Sequence, residues 1–133
     1  MGKTILRKLH PVLQVSDVRR AVRFYVDCLG FEVGYLMGSI EPVPCAGVCC
    51  DGIEIDLELV DLELLDDAVL TPSHLRFLVD NPDALHRELS EQGEIDPLPR
   101  LEYGRWDTLE LSLDDPDGNR LTFYRLLVAA ELK

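Results

Sequence analysis

The sequence predicts an α+β fold made of two copies of a βαβββ module, and three observations carry that prediction. A short β-rich run led by a histidine occurs twice, "HPVLQVSD" from His10 and "HLRFLVDN" from His74. A helical pattern stopped by a glycine follows each run, Gly30 lying 20 positions after His10 and Gly93 lying 19 after His74. Each histidine also has a valine five residues on, Val15 and Val79.

In the first module, residues 9–15 read as a strand, after which Ser16 or Asp17 can cap a helix with Val18, Ala21, Val22, Tyr25 and Leu29 at helical spacing. Residues 31–37 read as a second strand, 38–44 as a loop and 46–50 as a third strand. Asp51-Gly52 is a hairpin signal, because both residues tolerate the left-handed backbone such turns need. The fourth strand, "IEIDLELV" from Ile53, alternates strictly, with Ile53, Ile55, Leu57 and Leu59 on one face and Glu54, Asp56 and Glu58 on the other. The acidic, irregular residues 61–72 then read as a linker.

The second module repeats the order. Residues 73–79 read as a strand, Asn81 as the cap of a helix with Pro82 at its first position, and Gly93 as its end. Residues 94–102 carry Pro97 and Pro99, which cannot donate to a ladder, so that strand is expected to be short, bulged or at an edge. "WDTLELSL" and "RLTFYRLL" complete the set as two strands joined by the turn "DDPDGN".

A chain of 133 residues with 47% apolar content fits one domain, with modules at about residues 1–62 and 73–133. No stretch approaches the roughly 18 apolar residues that span a bilayer, and the N-terminus lacks the apolar core of a secretory signal, so a cytoplasmic protein off the membrane is expected. The formal charge of −12 repels phosphate backbones and argues against nucleic acid as a partner. Cys28, Cys45, Cys49 and Cys50 lack the spacing of a zinc ribbon or a disulfide scaffold, so reduced thiols are expected.

If each helix packs on one side of its own sheet, parity sends the polar side chains to the other. That face then holds His10, Val12 and Gln14, Glu54, Asp56 and Glu58, His74 and Arg76, Glu110 and Ser112, and Thr122 and Tyr124. One wet face needs no function, but two copies of one unit can set His10 and His74 near a common axis.

"HPVLQVSDVRRAVRFYVDCLGFEV", "SHLRFLVDN" and "DDPDGNRLTFYR", in this order, resemble the signatures of the vicinal oxygen chelate superfamily, which holds glyoxalases, bleomycin-resistance proteins and extradiol dioxygenases. The resemblance implies two βαβββ modules forming a curved mixed sheet around a pocket, commonly in a homodimer, with a divalent metal (Zn, Ni, Mn or Fe) in the catalytic members. In the glyoxalase pattern it maps His10, Glu58 and His74 onto the first three metal ligands, with Asp56 replacing Glu58 if the register slips by two. The fourth position falls on Thr122, whose neutral hydroxyl is a poor substitute for a carboxylate.

Two functions follow from the resemblance. The first is a bleomycin-resistance-like protein that binds a small, cationic, drug-like molecule without metal chemistry, using Glu54, Asp56, Arg76, Tyr103, Trp106, Glu110, Thr122 and Tyr124. The second is a metal-dependent lyase, isomerase or dioxygenase built on His10, Glu58 and His74. Thr122 puts the binding reading first.

Overall fold

The structure, a computed structural model, describes residues 2–60 and 71–132. The first module comprises β1 (Val12–Val15), α1 (Val18–Arg23), β2 (Glu32–Leu36), β3 (Cys45–Cys50) and β4 (Ile53–Leu59). The second comprises β5 (His74–Leu78), α2 (Pro82–Gln92), β6 (Leu101–Tyr103), β7 (Thr108–Asp114) and β8 (Arg120–Leu126). The expected linker falls largely on residues 61–70, outside the described residues.

Each module forms a four-stranded mixed sheet, ordered β1-β4-β3-β2 and β5-β8-β7-β6. In both, the first strand runs parallel to the last and the remaining pairs are antiparallel. The registers match as well: Val12 pairs with Asp56 and Arg76 with Thr122, each two residues beyond its histidine. The sequence repeat is therefore a structural repeat, in two sheets with no strand pairing between them among the described residues.

The caps follow their residue types. Asp17 accepts from the Arg20 amide at 3.0 Å and Asn81 from the Ala84 amide at 3.3 Å, each satisfying a donor that the first helical turn leaves free. Gly93 ends α2 at φ 68°, and Asp51 and Gly52 turn the β3–β4 hairpin at φ 51° and 81°. After Arg23 the first helix widens into a π turn over Phe24–Cys28. Tyr25 in that turn is fully buried, between Phe24 and Phe31 at centroid distances of 5.3 and 5.7 Å.

One core serves both modules. Leu13, Val15, Ile55 and Leu57 are buried with Val18 and Ala21, as are Leu111, Leu121 and Phe123 with Leu89. The polar connection between modules runs through the turn 114–119. Asp115 accepts from the Tyr25 hydroxyl at 2.8 Å and from Asn119 Nδ2 at 2.9 Å. Asp117 Oδ1 accepts from the Ser16 amide at 2.9 Å and the Ser16 hydroxyl at 2.6 Å. The two segments that most resemble the family signatures thus bond directly to each other. Burial, followed by the Asp115 charge, pushes the Tyr25 hydroxyl far above the usual tyrosine pKa.

Candidate functional site

The sheet faces turned away from the helices carry the polar groups that alternation assigns to them. In the first sheet His10 Nδ1 lies 3.0 Å from Asp56 Oδ2, and Asp56 Oδ1 accepts from the Tyr35 hydroxyl at 2.9 Å. Lys8 Nζ holds Glu54 at 2.8 Å. Glu58 stands one step further along, opposite Gln14 and Cys45, and makes no ion pair among the described residues. Asp56, rather than Glu58, is therefore the carboxylate on His10.

Tyr35 is absent from the sequence-based site, and the reason is a bulge. Glu32 pairs with Cys49 and Tyr35 with Gly47, with a register shift between Val33 and Tyr35, so both Glu32 and Tyr35 reach the polar face. Plain alternation puts them on opposite faces. Gly34, inside the strand, is the available sequence signal. The Tyr35 ring lies over Gly47, where a β-carbon would collide with it.

Partial burial, then the bond to Asp56, pushes the Tyr35 hydroxyl up to about 12. With its folded pKa raised, Tyr35 stabilises the fold fully below pH ~10 and loses that contribution as pH rises through its folded value. A tyrosinate titration followed at 295 nm is expected to show a late component near pH 12 that disappears in Tyr35→Phe. A late component unchanged in that variant would remove the Tyr35–Asp56 bond.

The second sheet has the same plan with different chemistry. His74 Nε2 lies 2.9 Å from Thr122 Oγ1, and Thr122 Oγ1 lies 2.8 Å from Ser112 Oγ. Thr122 is 1% exposed, and its place matches that of Asp56 in the first sheet. Arg76 donates to Glu110 at 2.9 Å and lies over the Tyr124 ring, 4.5 Å from its centroid. The Thr108 hydroxyl and then Arg76 hold the Glu110 carboxyl below the usual range, against partial burial. That contribution to stability is present above the usual carboxylate pKa and is lost as pH falls through the lowered value.

Gly104 stands where a β-carbon would strike Thr108 Oγ1 and the Glu110 carboxylate. Gly104→Ala is expected to push Glu110 off Arg76 and cost about 1–3 kcal/mol in urea unfolding at pH 7. An unchanged midpoint would show that this contact is not formed.

Two aromatic expectations change. Tyr103 pairs with Leu109, so it faces the helix side of its sheet, away from Tyr124 and Glu110. Trp106 lies beyond β6 in the turn before β7 and is 75% exposed. Neither stacks beside Tyr124, because the register of the proline-flanked edge strand puts Tyr103 on the other face. Arg76 covers one face of the Tyr124 ring.

Residues 7–123 match the family model for the Glyoxalase/Bleomycin resistance protein/Dioxygenase superfamily. The chain belongs to that superfamily. Bleomycin resistance proteins of Geobacillus stearothermophilus and Staphylococcus aureus are 25% identical to it over 123 residues, covering 86% of this chain and 93% of theirs. A bleomycin-binding protein from Streptomyces verticillus, solved with copper(II)-bleomycin, is 26% identical, with a TM-score of 0.64 over 93% of this chain and 99% of its own. TioX from Micromonospora sp. ML1 shares the fold at a TM-score of 0.71 and 19% identity, over 90% of this chain and 100% of its own.

The superfamily includes metal-dependent members, which makes the fit of a divalent ion a question for these residues. The donor set does not fit one within a single chain. His10 and Asp56 sit on one sheet, His74 sits on the other, and His74 Nε2 is already hydrogen-bonded to a neutral hydroxyl. Among the described residues no three His, Cys, Asp or Glu side chains gather closely enough to hold a metal, so His10, Glu58 and His74 are not assembled in one chain.

Proposed function

We propose that this protein acts in the cytoplasm as a homodimer that binds a small cationic molecule on the polar sheet faces, without metal chemistry. The observation that carries the reading is Thr122. It is buried, it occupies the place that Asp56 holds in the first module, and its hydroxyl engages His74 Nε2 and Ser112. A carboxylate there would add a charged ligand, whereas a hydroxyl closes a neutral hydrogen-bonded chain.

The relatives named for bleomycin resistance and bleomycin binding supply the ligand class. Glu58, exposed and without an ion pair among the described residues, supplies negative charge for a cation, while Arg76 on Tyr124 offers a flat surface for stacking. Val12 and Tyr35 on the first polar face and Leu78 and Leu126 on the second are 45–64% exposed, apolar area that a second copy would cover. No helix among the described residues is long and apolar enough to cross a membrane.

Calorimetry with metal-free bleomycin is expected to show binding at micromolar concentration or tighter, weakened by Glu58→Gln and by Tyr124→Ala. Absence of heat at those concentrations would remove the proposal. The competing reading, a metal-dependent lyase, isomerase or dioxygenase, draws on the His10–Asp56 pair. It would prevail if protein purified without chelator held about one divalent ion per chain and lost it in His74→Ala.

A further inference from the structure

At the far end of the first polar face the backbone brings two sulfurs together. Cys45 opens β3 and Met37 directly follows β2, where the Met37 amide donates to the Cys45 carbonyl at 3.2 Å. Their side chains meet with Cys45 Sγ 3.1 Å from Met37 Sδ. On its other side Cys45 pairs with Glu58 of β4. A thioether, a thiol and a carboxylate thus form one row across three adjoining strands. Backbone pairing sets the three residues side by side, and the rotamers of Met37 and Cys45 bring their sulfurs together.

We propose that this row is a binding site for a soft monovalent cation, Cu(I) or Ag(I), with Cys45 Sγ and Met37 Sδ as ligands and Glu58 as a third donor. Thiolate and thioether sulfur select soft ions, whereas hard dications require oxygen donors and zinc requires a fuller tetrahedral set. On binding, the Cys45 S–H bond breaks, a sulfur–metal bond forms and the proton leaves to solvent, with no change of oxidation state. The bound cation then balances the new thiolate, and Glu58 adds attraction.

Access and adaptability fit this role. Met37 is 46% exposed and unbranched, so the sulfurs can spread to accommodate an ion, and Cys45 is half-buried. Met37 is also the one methionine of the chain besides Met1, so its pairing with a cysteine does not reflect a methionine-rich surface. The other thiols lack this setting. Cys49 has the carboxylates Glu32 and Glu54 as its cross-strand neighbours, and burial pushes the Cys28 and Cys50 thiols up, against metal ligation. Glu58 is shared with the drug-binding reading, whereas the sulfur ligands Cys45 and Met37 take no part in it.

The test is an anaerobic titration of reduced, metal-free protein with Cu(I) held by bicinchoninate as a coloured competitor, repeated with Ag(I) as a redox-inert probe. Wild type is expected to withdraw one ion per chain. Cys45→Ser should abolish this uptake and Met37→Leu should weaken it at least about tenfold, while Cys28→Ser and Cys49→Ser leave it unchanged. Met37→Leu nearly conserves volume at an exposed position, so it tests the ligand rather than the fold. No withdrawal from the competitor, undiminished uptake in Met37→Leu, or loss of uptake in Cys49→Ser would each overturn the proposal.

Discussion

Asp115→Ala is expected to cost about 3–5 kcal/mol of folding stability, a large share of the roughly 5–15 kcal/mol a domain possesses. Asp115 is 4% exposed and accepts from four donors: the Tyr25 hydroxyl, Asn119 Nδ2 and the backbone amides of Asp117 and Asn119. Alanine leaves all four without this acceptor, and three of them belong to Tyr25 and Asn119, which are themselves fully buried. Tyr25→Phe removes one donor and leaves Asp115 its other three, so about 1–2 kcal/mol is expected. Because Tyr25 acts through Asp115, the double variant should be hardly less stable than Asp115→Ala alone. Urea unfolding of the three variants measures this, and a cost below ~1 kcal/mol for Asp115→Ala would show that the turn does not tie the modules together.

The prominence of this turn explains which parts of the fold were legible. "DPDGN" and "FY" stand out as motifs because their chemistry is local, a tight turn and a helix face, while their mutual bond spans 90 residues of sequence. The strict alternation of Ile53–Leu59 and the sequence Asn81-Pro82 with Gly93 likewise encode structure at short range, and the strand and helix form there. What escapes is register. Glu54, Asp56 and Glu58 share one face and one chemistry, so the choice of Asp56 as partner of His10 depends on how β1 slides against β4. The bulge at Gly34 brings Tyr35 to Asp56, and the pairing of β6 with β7 turns Tyr103 away from Tyr124. Met37 and Cys45 meet because a seven-residue loop returns the chain in one particular alignment, which composition cannot specify.

Thr122→Glu is expected to raise the chain's retention of a divalent ion above that of wild type. Asp56 and Thr122 occupy equivalent places, each beside the histidine of its own module, so the substitution gives His74 the acidic neighbour that His10 already has. The new carboxylate adds negative charge and a metal ligand where the hydroxyl now supplies only hydrogen bonds to His74 and Ser112. Its affinity gain for zinc or nickel should exceed the roughly 10–100-fold that a supporting contact is worth. It should also depend on His74, and on His10 if the polar faces of the two modules meet in the dimer. Without metal the variant should be less stable than wild type, since it places a carboxylate at a position 1% exposed, and metal should restore the loss. Metal content after gel filtration, with thermal unfolding in zinc and in chelator, decides the matter. Equal metal retention by wild type and variant would mean that a carboxylate at this position does not build a metal site beside His74.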